Sequence, residues 1–496
     1  VSRTRFAAVP LSLALFVPVF GQKPVPSTPS SPPPAVAQSP NPPQKRTFAD
    51  DRYELGRRTR EMERAWMATA DPKLRQPAIS KVQTAVIGFF GQNAPIVARE
   101  LDETTALLRE ETLSPELLWA KSLMVNPESV VADTKRTAAI LVVRPIYELS
   151  SARPAFTLLI SVGKKTVSQT ISATDKLPFS FPVELENTKE GEQVVGITVT
   201  TDGKTPLRSW NVQISRISTF ETRVKALEAN LTRMKKTVDA EPAKTEARRL
   251  AVASLETRLT LFQTVLAKKQ PETDFPLTEM VRDAERLYTL SVKFPPSLLQ
   301  PATGEIFRTA PNEKGGIPTR SVANPEATVL VVAFHGAGGS ENMFFDSYGD
   351  GQIVKLCKER GWALLCPRVT SPLDDYLSAI DRLKPIVAPK ATKVFIVGHS
   401  LGAVTSLTVA LKAPERFAAV APISGRAASD VKPLSQTPMF VAAGTKDFSR
   451  PGSTQLGDRL KALGAPVTFK LYEAEHLLVV PDALPDIFKW LDGLAK

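Results

Sequence analysis

Histidine is nearly absent from this chain: three occur in 496 residues, and none lies before residue 335. Cysteine is scarcer still, with only Cys357 and Cys366. Two thiols allow at most one disulfide, and the spacing demands none, so a disulfide framework is excluded. With so few histidines no zinc ligand set can be assembled, and neither metal nor cofactor is expected. Both cysteines fall in apolar surroundings, where two buried free thiols are the simplest expectation. Aromatic residues make up only 7% of the chain, and the formal charge of +12 is spread out, most of it ahead of residue 320. A compact basic block and a stacking platform are both missing, which argues against nucleic-acid binding. Past the first twenty residues no stretch is long and apolar enough to cross a bilayer.

Proline, by contrast, is plentiful, at 42 residues. Arg3 and Arg5 precede an apolar run over residues 6–20, and Val19-Phe20-Gly21 offers small-residue cleavage geometry before Gln22. This is a secretory signal pattern, so residues 1–21 are expected to be removed and the protein to be secreted or periplasmic, with no stable membrane span afterwards. Pro10 and Pro18 interrupt the run, which is short for an anchor. Residues 22–46 are proline-rich and read as an extended, disordered tether.

Residues 47–134 carry a helical rhythm, with starts expected at Asp71-Pro72, Ala94-Pro95 and Ser114-Pro115, because proline is favoured in the first helical turn. Residues 135–218 change to short β-rich runs separated by turn signals, the pattern of a small β-sandwich. Residues 219–295 return to helical spacing. Phe220, Val224, Leu227, Leu231, Met234 and Val238 form one stripe, and Val252, Leu255, Leu259, Phe262 and Leu266 a second. A break at Glu241-Pro242 suggests a helical hairpin. These front segments hold no catalytic constellation. They read as packing, spacing or binding modules that hold the protein on a surface or another protein.

From residue 301 to 496 strands alternate with helices. Strands are expected over 327–334, 362–366, 393–397, 418–422, 439–443 and 467–472, and helices over 351–360, 374–386, 401–411, 453–463 and 484–494. Such alternation means a mainly parallel sheet with helices on both faces, an α/β fold whose ligands sit beyond the carboxyl ends of the strands. One of these strand–helix junctions reads Gly398-His399-Ser400-Leu401-Gly402. A G-x-S-x-G between a strand and a helix is a nucleophile elbow, and it thrusts the Ser400 hydroxyl above the sheet.

A serine hydroxyl needs a base within hydrogen-bond reach and a third group to orient that base. Of the three histidines, His399 adjoins Ser400 and points the other way, and His335 closes the first strand of the domain. His476 follows the last strand, on a loop that can reach over the sheet, and is the expected base. The acid should lie between serine and histidine in chain order. Asp447 sits just past a strand end. Asp430, on a loop, and Asp458, within a helix, are weaker choices. The segment His335-Gly336-Ala337-Gly338-Gly339 follows a strand directly, and its small residues let backbone N–H groups approach a carbonyl oxygen. Leu401 N–H and Ala337 N–H are the expected oxyanion donors, with Gly338 the next choice. The loop lacks the lysine of a P-loop and the spacing of a dinucleotide fingerprint.

"HGAGG", "GHSLG", "APISG", "GTKD" and "EAEH", in that order, resemble the α/β-hydrolase superfamily. Within it the likeness is to compact serine esterases of the polyhydroxybutyrate depolymerase, feruloyl esterase and dienelactone-hydrolase-like groups. The resemblance covers the last two fifths of the chain. It implies ester hydrolysis through a serine ester, with Ser400, Asp447 and His476 as the triad and no cofactor. Two alternatives remain at this point: a prolyl-oligopeptidase-like serine peptidase, and a non-catalytic binding protein on a hydrolase fold. Only residues 426–438 separate the strand after the elbow helix from the next one, too short a stretch for an inserted cap. An open, shallow site is therefore expected, suited to short-acyl or polymer-borne esters, with the front segments standing clear of its mouth.

Overall fold

Three proline-bearing helix starts organise the first part of the fold. Asp71, Asn93 and Ser114 each cap a helix by accepting a backbone N–H, from Lys73, Ile96 and Leu117 respectively. The helices they open are α2 (Pro72–Phe90), α3 (Ala94–Leu108) and α4 (Pro115–Ser122), and α1 (Phe48–Ala68) precedes them. The computed structural model describes residues 46–496, apart from 187–188, 241–244, 314, 372–373 and 427–429. The expected signal segment and nearly all of the proline-rich tether thus lie outside the described residues, as does the break at Glu241-Pro242.

The β-rich stretch forms two sheets. One holds β1 (Leu123–Pro127), β3 (Ala138–Pro145) and β6 (Phe179–Glu184). The other runs β2 (Val131–Ala132), β8 (Arg208–Arg216), β7 (Gly191–Thr200), β4 (Phe156–Val162), β5 (Lys165–Ile171). Alternate residues point inward, and Val125, Leu141 and Val143 of the first sheet share one apolar cluster with Leu158, Val195 and Val212 of the second. Three helices follow: α5 (Phe220–Ala240), α6 (Thr245–Leu266) and α7 (Leu277–Lys293). Phe220 of α5 meets Phe262 of α6 edge-on, with ring centroids 5.7 Å apart.

The last part is an eight-stranded sheet in the order β16-β15-β14-β13-β11-β12-β10-β9. Its strands are β9 (Gly304–Ala310), β10 (Ile317–Ala323), β11 (Val329–Phe334), β12 (Ala363–Pro367), β13 (Lys393–His399), β14 (Ala419–Ile423), β15 (Met439–Gly444) and β16 (Val467–Tyr472). Strands β11 to β16 are parallel, and β9 and β10 form an antiparallel hairpin at one edge. On one face lie α10 (Tyr376–Val387), α11 (Leu401–Lys412) and α12 (Arg450–Ala462). On the other lie α9 (Tyr348–Glu359) and α13 (Val479–Ala495). This is the α/β-hydrolase fold, and the chain as a whole is multidomain in plan. The sequence pattern did not announce β9 and β10, because Pro311, Gly315, Gly316 and Pro318 break up that stretch. Proline is tolerated there because Pro311 lies in the turn after β9 and Pro318 lies one residue ahead of the first β10 pair with β12.

The front helices do not stand clear of this sheet. Leu55, Met62 and Trp66 of α1 and Ile79 and Val82 of α2 belong to the same apolar cluster as Phe395 of β13 and Leu484 of α13. Trp66 is fully buried, and its indole N–H donates to Asp482 of α13 at 3.0 Å. Glu63 of α1, also fully buried, accepts the backbone N–H groups of Tyr348 at 3.0 Å and Gly349 at 3.1 Å. Those two residues begin a turn in which Tyr348, Gly349, Asp350 and Gly351 all have positive φ, from 52° to 83°. Two of the four are not glycine, so the turn is strained, and a buried acceptor from another part of the chain holds it.

Candidate active site

The elbow forms where β13 ends and α11 begins. Ser400 stands between them at φ 55°, ψ −115°, and its N–H donates to Ile423 O of β14 at 2.9 Å. Two glycines make this turn possible. A Cβ on Gly402 would lie 1.9 Å from Phe334 O, and one on Gly398 would lie 2.2 Å from Gly402 O. The backbones are therefore packed against each other with no room for side chains.

The structure brings three of the residues singled out in the sequence into one hydrogen-bonded line. His476 Nε2 is 2.9 Å from Ser400 Oγ, and His476 Nδ1 is 2.8 Å from Asp447 Oδ1. Asp447 Oδ1 also accepts the Ser449 N–H at 2.7 Å and the Ser449 hydroxyl at 2.9 Å. Burial works against charge on Asp447. The bond and charge of His476, the nearby Ser424 hydroxyl and the Ser449 N–H outweigh it and hold the carboxyl at about 2. An ionised Asp447 fixes the proton of His476 on Nδ1 and leaves Nε2 free to accept from Ser400. Asp430 and Asp458 take no part in this line.

His399 does point away from Ser400, and it binds beneath the line instead. Its Nε2 is 2.8 Å from the carbonyl oxygen of His476, to which it must donate. Its Nδ1 is then an acceptor, filled by the Tyr348 hydroxyl at 2.7 Å. That hydroxyl accepts the Gly336 N–H at 3.1 Å. Burial, followed by repulsion from the His476 imidazole, pushes His399 down to about 3, so it is neutral. The imidazole of His476 lies between two rings, His399 at 4.8 Å and Phe448 at 4.2 Å between centroids. His335 is buried and accepts the Val369 N–H at 2.8 Å, and burial takes it down to about 4. It anchors the loop that follows it.

That loop carries Ala337. Among the described residues the Ala337 N–H has no acceptor, and Leu401, first residue of α11, has no intrahelical acceptor for its own N–H. The carbonyl of Gly338, the next choice, accepts from Arg52 Nη2 of α1 at 2.5 Å.

The expectation of an open site is corrected here. Ser400, His476 and Ala337 line a cleft with walls from α1, α2 and α3, and with Glu272, Thr273 and Met343 on its lining as well. Leu55, Val82, Val97 and Leu101 of those helices face it. No cap is inserted in the hydrolase part; the front helices fold over the mouth in its place. The sequence contains no signal for Arg52, Glu63, Phe89 or Tyr348 as neighbours of the site, since each becomes one only through the packing of α1 and α2 on the sheet. Among the described residues no group of histidine, cysteine and carboxylate side chains could hold a metal ion, and no helix is long and apolar enough to cross a membrane.

A family model described as "Putative esterase" matches residues 373–453, a span that carries Ser400 and Asp447 but stops short of His476. No curated protein matches the chain. Among solved structures, the S-formylglutathione hydrolase of Staphylococcus aureus is similar over 40% of this chain and 99% of its own, at 16% identity and a TM-score of 0.33. The feruloyl esterase module of Clostridium thermocellum, an S954A mutant complexed with sinapinate, is similar over 40% of this chain and 89% of its own, at 14% identity and 0.33. The Pyrococcus furiosus esterase Pf2001 is similar over 40% and 93%, at 13% identity and 0.33.

Proposed function

We propose that the protein is a serine carboxylic-ester hydrolase that works through Ser400, His476 and Asp447. The observation that carries this reading is the unbroken hydrogen-bonded line from Asp447 through His476 to Ser400, opening on a cleft beside the free N–H of Ala337. The family match over residues 373–453 supports an ester hydrolase in the broader sense.

The chemistry follows from the geometry. His476 Nε2 takes the proton of Ser400 as Oγ attacks the ester carbonyl carbon. The carbonyl oxygen becomes an oxyanion, and Ala337 N–H and Leu401 N–H donate to it. Asp447, already ionised, stabilises the imidazolium without taking its proton. The C–O bond to the alcohol then breaks, and His476 returns the proton to the departing oxygen. A water molecule repeats the sequence on the Ser400 ester, giving the carboxylic acid and restoring the hydroxyl. The Arg3 and Arg5 start and the apolar run after them support an exported enzyme.

The test is labelling with a fluorophosphonate together with turnover of a nitrophenyl ester. Wild-type protein should be labelled at Ser400 and hydrolyse the ester, and Ser400→Ala should do neither. Undiminished labelling of Ser400→Ala overturns the assignment.

A further inference from the structure

Two clefts meet at His476. The first holds Ser400, the loop from Gly336 to Gly339, and the walls from α1, α2 and α3. The second is lined by Gln83, Ile87 and Phe90 of α2, Phe448 and His476, and touches neither Ser400 nor that loop. Val86 and Phe90 of α2 border both. We propose that the first cleft receives the acyl group of the ester as an apolar chain of several carbons, that the second receives the leaving alcohol, and that α2 divides them. This rests on the ester-hydrolase reading given above.

The division follows from which atoms each half of the substrate must meet. In the Ser400 ester the acyl carbon is bonded to Oγ and its oxygen lies against Ala337 N–H. Only the first cleft contains both. The leaving oxygen must receive its proton from His476 Nε2, so the alcohol departs along the His476 side, where the second cleft lies. There Phe448, 61% exposed, covers one face of the imidazole, and Ile87 and Phe90 of α2 are 67% and 55% exposed. Exposed apolar side chains crowded round the base form an apolar landing for the alcohol rather than a scattered surface.

The character of the first cleft follows from its walls. Leu55, Val82, Ala85, Val97 and Leu101 each have 4% of their surface exposed or less, and none carries a polar side-chain atom. Those five come from three helices that converge on Ser400. The lining also includes the polar side chains of Thr59, Arg60 and Asp346. An apolar chain therefore lies along the α2–α3 side and leaves those polar groups to water. An acetyl group would leave most of that wall without contact, whereas a longer chain buries its own apolar surface against it. Each added methylene laid against it removes apolar surface from water in the acylation transition state.

The experiment uses the full chain and two ester series. In the first, nitrophenyl esters run from acetyl to dodecanoyl. In the second, alkyl acetates run from ethyl to hexyl. From acetyl to hexanoyl, kcat/KM should rise about two- to fourfold per methylene. Val97 lines only the first cleft, so Val97→Phe should lower the hexanoyl-to-acetyl ratio at least about tenfold. Ile87 lines only the second, so Ile87→Trp should change the hexyl-to-ethyl ratio among acetates and not the acyl ratio. The wild-type series needs no variant to fold. A flat or falling acyl series, in protein that a fluorophosphonate labels at Ser400, overturns the inference while the hydrolase reading stands. An exchange of effects between the two variants overturns it as well. Absence of both labelling and turnover overturns the hydrolase reading and this inference with it.

Discussion

The Tyr348 hydroxyl lies 2.7 Å from His399 Nδ1 and accepts the Gly336 N–H at 3.1 Å, so one oxygen ties the loop before Ala337 to the support of His476. Tyr348→Phe removes that oxygen. It leaves a buried N–H and a buried imidazole nitrogen without partners, which costs stability by about 1–3 kcal/mol for each group. Turnover should fall about tenfold through kcat with KM little changed, since the loss is in the placing of an oxyanion donor. Steady-state kinetics and a melting curve on the same sample check both parts. A variant with normal kcat and only a lowered Tm would show that the link is structural alone.

Arg52 reaches the same loop from α1. Its guanidinium donates to Gly338 O at 2.5 Å. Arg52→Ala frees that carbonyl, and kcat should fall several-fold without loss of the fold. Arg52→Lys should recover part of the rate, because an ammonium can still donate one bond. A fluorophosphonate labelling rate measured across the three proteins gives the comparison directly. Equal rates in all three would remove Arg52 from any positioning role.

Glu63 provides a pH signature. Burial raises its carboxyl from 4.5 to about 7, against the pull of three backbone N–H groups and with added repulsion from Asp350. Between those two values the native protein keeps a proton that the unfolded chain has released. Native protein binds more protons there, so stability falls as pH rises through that window. Glu63→Gln cannot ionise. The stability of wild type relative to this variant should therefore drop by about 3 kcal/mol from pH 4.5 to pH 8. Denaturant melts of both proteins at several pH values measure it. Comparing the two cancels the other groups that titrate in this range, Glu475, His335 and His399. A difference that stays constant with pH would contradict the argument.

Cys357 and Cys366 are free and fully buried, and burial pushes both thiols up. A thiol so placed is neither ionised nor accessible. A disulfide-exchange reagent should find no thiol in the native protein and two per chain after unfolding. Fast reaction before unfolding would mean that the core around α9 and β12 opens readily.

The hydrolase part was legible because its signals are local or exclusive. The elbow is contiguous, and with three histidines in the chain only His476 stood past a strand end in the right order. The structure sets it 2.9 Å from Ser400 Oγ. The covering of the site was not legible. The stripe containing Leu55, Met62 and Trp66 says that one face of α1 is buried, and says nothing of what buries it. The same stripe would serve against another front helix or against α13. Glu63 and Arg52 look like ordinary charges of a helix surface, and only the chain's return hundreds of residues later gives them partners. In the gap over residues 426–438 the described residues form only the short turn Lys432–Leu434. The error was to assume that a cap must be inserted there.

Trp66 and Asp482, which share a hydrogen bond, are 416 residues apart in the chain. A ribosome adding about 5–20 residues per second leaves roughly 20–80 seconds between the birth of one and the birth of the other. Until β11 and β13 have been made, the apolar face of α1 and α2 has only α3 and its near neighbours to pack on. The helices that wall the cleft are thus made before the sheet that they pack on. During synthesis Met62, Trp66 and Val82 are apolar side chains whose full cluster forms only when the sheet arrives. A chain cut short before α13 would keep its elbow, its aspartate and its histidine and still lack the Asp482 acceptor of Trp66 and the α13 side of that apolar cluster.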